Sequence, residues 1–158
     1  MTRPPEFALV PIRDLHAHEQ FQDDCVVALM EELRRAGVMN EPIWVSRDSL
    51  VILNGHHRVE AMRRMGASRM PAWLFEYESE VVSLEPWRPG PPIPKAEVIR
   101  RGVSGHLFPP KTTRHKIQVE LPPHPTSLAD LLAPERGLVY PMGPRSSRRR
   151  SPRASRSE

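Results

Sequence analysis

With 158 residues the chain has room for one domain around a single core and little for a second. An apolar fraction of 39%, with 19 prolines against 8 glycines, describes a modest core joined by many irregular connections. The formal charge of +4 comes from one end: Arg145 to Glu158 hold six arginines and one acid, so the remainder nets −1 and has no basic excess that would require nucleic acid. One cysteine, Cys25, excludes an internal disulfide and a cysteine zinc cluster, and its apolar neighbours predict a buried, inert thiol. No stretch reaches the length of a transmembrane helix and the N-terminus has no signal-peptide core, which makes a cytoplasmic location without membrane partners the expectation.

In chain order, Phe7 to Ile12 reads as a first strand and Arg13 to Gln22 as a polar loop. Asp23 to Ala36 places Val26, Met30 and Leu33 at helical spacing beside Leu29, with Asp23 or Asp24 as cap and Gly37 as stop. Ile43 to Ser46 and Leu50 to Leu53 flank a polar turn and read as adjacent strands. After Asn54-Gly55 a second helix carries Val59, Met62 and Met65 on one face and ends at Gly66. Pro71 to Tyr77 is another strand, Val81 to Trp87 a further one, and Pro89 to Pro94 a connector. Pro94 to Gly102 suits a short helix with proline at its entry. Leu107 to Ile117 is too irregular for a regular element, Thr126 to Ala133 suits a last helix, and the Ser/Arg tail reads as disordered. The whole predicts an α+β domain with a small mixed sheet and flanking helices. Trp44 and Trp73, inside strand patterns, are expected in the core.

The junction Leu53-Asn54-Gly55-His56-His57-Arg58 is the most informative stretch. An apolar strand ends, a glycine permits a tight turn, and a helix begins whose first amides have no internal partner and suit a phosphate. Gly55 lets an anion approach the backbone, Arg58 offers a bidentate fork, and His56 and His57 add donors that need no charge at pH 7. The same pattern also suits a plain turn with capping histidines and a solvated arginine. A metal site from His16, His18, His56 and His57 fits less well, because no acidic ligand is fixed beside them.

NGHHR, then an amphipathic helix, a glycine and PAWLFEY, resembles the ParB/sulfiredoxin superfamily, whose members bind nucleotides at this junction. Sulfiredoxins place a catalytic cysteine where this chain has His56. Chromosome-partitioning ParB proteins read closer to GERR and carry a following helix-turn-helix domain. GHHR is instead similar to the free L-serine kinases of the superfamily. Leu15-His16-Ala17-His18-Glu19 resembles their segment with the catalytic glutamate, Trp87 their substrate-pocket tryptophan, and Phe108-Pro109-Pro110-Lys111-Thr112-Thr113-Arg114-His115 their PPKTTRH segment. Asn54 stands where those kinases commonly carry aspartate, keeping the shape and a carbonyl acceptor without the charge.

The resemblance implies a single ParB/sulfiredoxin-like nucleotide-binding domain over residues 1–120, a C-terminal extension over 121–144 and the tail over 145–158. It implies phosphorylation of free L-serine to O-phospho-L-serine with ATP or ADP and Mg2+, Glu19 acting as general base. Asn54, Gly55, His56, His57, Arg58 and Lys111 are then the phosphate contacts. Thr112, Thr113, Arg114 and His115 supply donors for the amino acid, and Trp87 serves as an apolar wall or as plain core. The alternative is a non-catalytic ParB-like nucleotide-binding regulator with a protein or DNA partner, for which the arginine tail offers nonspecific nucleic-acid binding.

Overall fold

The computed structural model describes residues 3–134; the Arg/Ser-rich segment 145–158 and the later part of the 121–144 extension lie outside the described residues. Strands β1 (Glu6–Pro11), β3 (Ile43–Ser46), β4 (Ile52–Asn54) and β5 (Arg69–Phe75) form a mixed sheet in the order β1-β5-β3-β4. Strand β5 runs antiparallel to β1 and parallel to β3, and β4 returns antiparallel to β3. The parallel step needs a crossover, and helix α2 (His56–Arg64) provides it.

Alternation along the strands separates two cores, one on each sheet face. On one face Ile43, Val45, Ile52, Met70 and Ala72 pack with Val26 and Leu33 of helix α1 (Asp23–Ala36) and Val59 and Met62 of α2. Leu128 and Leu131 of helix α4 (Leu128–Leu132) close this side, tied down where the short strands β2 (Val38–Met39) and β8 (Thr126–Ser127) pair. On the other face Leu53, Trp73, Phe75 and Tyr77 pack with Val82 of β6 (Val82–Pro86), Val98 of α3 (Lys95–Ser104) and Phe108. Among the described residues no helix is long and apolar enough to cross a membrane.

Several expectations change. Residues 113–117 are not irregular: they form β7 (Thr113–Ile117), paired antiparallel with β6. Cys25 is exposed rather than buried, because α1 turns Val26 and Leu33 inward and leaves the preceding position on the outer side. Neither aspartate caps α1: Gln22 is its N-cap, and Asp23 and Asp24 lie in the first turn, where their charge suits the helix dipole. Trp73 is in the core as expected, whereas Trp44 is half-buried and opens on a cleft of about 460 Å³ with Pro42 and His124.

The segment expected as a polar loop is laid down like a strand. The Ile52 amide donates to the His16 carbonyl (2.8 Å), and the His16 amide donates to the Leu50 carbonyl (2.9 Å). Two residues further on, the Phe108 amide donates to the His18 carbonyl (2.9 Å) and the Gln20 amide donates to the Phe108 carbonyl (2.8 Å). His18 and Glu19 are thereby held between β4 and the loop that leads into β7.

Candidate active site

A cleft of about 300 Å³ opens where these pieces meet, lined by Glu19, Asn54, Gly55, His56, His57 and Trp87, and by Lys111, Thr113, Arg114 and His115 from the loop and β7. Its floor is the start of α2. The first helical bond is from the Val59 amide to the Gly55 carbonyl, and no side chain caps the helix, so the amides of His56, His57 and Arg58 have no partner among the described residues. Such amides present partial positive charge to an anion.

Gly55 is required by the geometry. Its φ is +111°, and a Cβ there would stand 2.4 Å from Ile43 Cγ2. Gly55→Ala is expected to cost about 3 kcal/mol of stability, combining overpacking with left-handed strain. Urea unfolding measures this, and a loss below about 1 kcal/mol would show that β3 yields easily.

The histidines are fixed as neutral rings. The His18 amide donates to His56 Nε2 (3.2 Å) and the Gln22 amide donates to His57 Nε2 (3.0 Å), which leaves the ring proton of each on Nδ1. Burial, with His18 and His115 nearby, holds His56 well below the usual imidazole range; burial also lowers His57. Both remain donors without charge, as the sequence suggests. His115 lies under the cleft, where the Tyr77 hydroxyl donates to its Nε2 (2.8 Å) and Nδ1 faces the Leu53 carbonyl without a well-formed hydrogen bond. Burial pushes it down to about 3.

Glu19 is the most heavily engaged group. Its Oε2 accepts from the Lys111 amide (2.9 Å), and its Oε1 accepts from the Thr113 amide (3.0 Å), the Thr113 hydroxyl (2.8 Å) and, at 3.4 Å, the Thr112 amide. The carboxylate thus shapes the loop whose Lys111 adopts a left-handed φ of +58°. Behind it, His18 is wholly buried, with Nδ1 at 2.7 Å from the Ile52 carbonyl and Nε2 at 2.8 Å from Thr113 Oγ1. Burial lowers the His18 pKa, opposed by the Glu19 charge and the Ile52 carbonyl.

Two expected site residues are not brought to the cleft. The Arg58 guanidinium turns beneath the turn, donating to the Glu41 and Pro42 carbonyls and, at 3.1 Å, to Asn54 Oδ1. It braces the turn that opens α2, and Arg58 does not line the cleft. The Thr112 hydroxyl donates to the Pro109 carbonyl (2.7 Å) and does not line the cleft. At the mouth, the Arg114 guanidinium lies 5.0 Å over the half-exposed Trp87 ring, so Trp87 is a wall and not core. Tyr77 is not singled out by the sequence, and His18 enters there only as a weak metal candidate and as the neighbour of Glu19. His18 carried one usable signal, its place directly before Glu19.

The fold belongs with that of the free serine kinases. A free serine kinase in complex with AMP superposes with a TM-score of 0.72 at 16% identity, over 82% of this chain and 95% of that one. The chain is also 33% identical over 88 residues to an ATP-dependent L-serine kinase of Staphylothermus marinus, covering 53% of this chain and 35% of the relative. It is 37% identical over 75 residues to a ParB-like protein of Sulfolobus acidocaldarius, covering 48% of this chain and 37% of that protein. The match thus spans about a third of the length of these curated relatives. No protein-family model matches the chain.

Proposed function

We propose that this chain transfers a phosphoryl group from ATP or ADP to the hydroxyl of free L-serine. The observation that carries the reading is the juxtaposition, in one small cleft, of unpartnered helix amides and a single loop-anchored carboxylate, Glu19. Phosphoryl transfer asks for little else: an anion held in line, charge neutralised, and a route for the acceptor's proton. The similarity to a protein named L-serine kinase supports the choice of acceptor.

In this reading Gly55 and the amides of His56, His57 and Arg58 hold the terminal phosphates, with the neutral His56 and His57 rings and the Lys111 ammonium beside them. Arg114 meets the serine carboxylate while stacked on Trp87, and Thr113 and His115 shape the pocket from below. Glu19 takes the hydroxyl proton. The cleft offers no protein-held magnesium site: among the described residues no three His, Cys, Asp or Glu side chains come together to hold a metal ion, and Asn54 Oδ1 accepts from Arg58, while Glu19 Oε2, which accepts only from the Lys111 amide, keeps a lone pair for the hydroxyl proton. Any magnesium would therefore arrive on the nucleotide's own phosphates, and no step here runs through it. The residue 1–120 unit is the proposed catalytic domain.

The test is direct. Protein incubated with ATP or ADP, magnesium and L-serine is expected to yield O-phosphoserine by mass spectrometry, and nucleotide binding without any phosphorylated amino acid would sink the kinase. In that event the similarity to a ParB-like protein favours the second reading, a nucleotide-binding regulator.

A further inference from the structure

The contacts behind Glu19 can be counted in protons. Ile52 offers a carbonyl, which only accepts, so His18 Nδ1 carries a proton and donates at 2.7 Å. In the neutral ring Nε2 is then an acceptor, 2.8 Å from Thr113 Oγ1. Thr113 Oγ1 is also 2.8 Å from Glu19 Oε1, another acceptor when the carboxylate is ionised. One hydroxyl proton thus faces two acceptors at equal distance. A charged His18 would remove the conflict, but its complete burial, with His56 and His115 rings 4.7 Å and 5.7 Å away, works against that charge.

We propose that His18 is a positioning residue for Glu19, acting through the Thr113 hydroxyl to set how strongly that carboxylate takes the proton of the acceptor alcohol. When the hydroxyl turns to Glu19, the carboxylate gains a donor and is a weaker base. When it turns to His18, Oε1 faces an oxygen lone pair and the carboxylate is a stronger base. A buried, fully enclosed histidine is costly where an apolar side chain would fill the space, and this competition gives it a role. The identity of the alcohol rests on the serine-kinase reading. In that step the serine O–H bond breaks and its proton goes to Glu19. The serine oxygen bonds the terminal phosphorus, and the bond from phosphorus to the departing nucleotide breaks with its electron pair on the nucleotide. From the elements around it Glu19 faces His18 on its own segment, His56 and His57 on α2, and Lys111, Arg114 and His115 on the loop and β7.

Two substitutions move the system in opposite directions. His18→Asn keeps a donor for Ile52 but gives Thr113 no competing acceptor, so the hydroxyl commits to Glu19. Thr113→Val keeps the shape and removes the donor altogether. The acid limb of the kcat–pH profile is expected to move down by about 1 pH unit in the first and up by about 1 unit in the second, with Thr113→Ser close to the parent. The carbon-13 titration of the Glu19 carboxyl in nucleotide-free protein is expected to move in the same two senses. Equal shifts in both variants, or rate losses with the limb and the titration in place, would overturn the proposal. If His18→Asn does not fold, His18→Ala, which also removes the competing acceptor, takes its place, and a carboxyl titration unmoved from the parent in that variant would overturn the proposal. Opposed carboxyl titrations in a protein that makes no phosphoserine would uphold the proton sharing and remove only the kinase; an active parent with an unmoved Thr113→Val titration would do the reverse.

Discussion

Glu19→Gln is expected to lower kcat for phosphoserine formation by about 10²–10⁴-fold, the range for loss of a general base, while ATP and ADP bind as before. The two halves of that expectation come from different parts of the cleft. An amide oxygen has almost no affinity for a proton at neutral pH, so the route for the serine hydroxyl's proton is lost. In the proposed reading the phosphates rest chiefly on the backbone at the start of α2, whose conformation depends on Gly55 and on the Arg58 brace and not on Glu19. A secondary effect follows from the carboxylate's other task. Glutamine keeps one oxygen for the Thr113 amide and hydroxyl but turns an NH2 group toward the Lys111 amide, which donates to Oε2 in the parent. Leaving that amide unsatisfied costs about 1–3 kcal/mol, enough to loosen the loop and raise KM for serine. Mass-spectrometric rates and calorimetric nucleotide binding separate these effects. A Glu19→Gln protein that keeps a tenth of the parent rate or more would remove Glu19 from the chemistry and leave it a loop anchor.

What could be read from the chain alone follows the physics of each signal. Helices α1 and α2 were legible because Val26 and Leu33, and Val59 and Met62, repeat at helical spacing and are all buried. The junction at Gly55 was legible for a related reason, since a strand followed at once by a helix demands a residue that tolerates left-handed φ. Strand β7 was not legible. It does alternate, with Thr113 and His115 buried and Arg114 exposed, but its inward residues are polar and hydrophobic periodicity does not register them. Their burial is explained only by partners distant in sequence: Tyr77 for His115, and His18 with Glu19 for Thr113. Arg58 shows the converse. Its place in the motif suggested a phosphate fork, yet the backbone carbonyls of Glu41 and Pro42 lie on the other side of the turn and take the guanidinium instead. A linear motif names the residues at a turn but not the side of it to which each points.

The buried histidines make the fold acid-sensitive in a window that ordinary carboxylates do not reach. His115 is held down to about 3 by burial, and His56 well below its usual value by burial and by its histidine neighbours. In the unfolded chain both titrate near 6.5. Between those values the unfolded state binds protons that the native state does not, so stability rises with pH and falls as the solution is acidified below about 6.5. The full contribution is present above that point and is lost progressively toward the folded values. Near pH 5.5 His115 alone gives a slope of about 1 kcal/mol per pH unit, and His56 adds to it in the same direction. Against a typical domain stability of about 5–15 kcal/mol, a fall from pH 6.5 to 4.5 removes a large part of the total. The exposed carboxylates lowered by hydrogen bonds from arginine or lysine, Glu97 by Arg100 and Glu85 by Lys116, act only at still lower pH. Urea midpoints measured by tryptophan fluorescence are therefore expected to drop steeply between pH 6.5 and 4.5 and to change little between 7 and 8. His115→Gln, which retains an acceptor for the Tyr77 hydroxyl, is expected to flatten the slope by about one proton. A midpoint that stays level down to pH 4.5 would mean that the native cleft accepts these protons, and that His56 and His115 are not the neutral rings on which the geometry at the start of α2 depends.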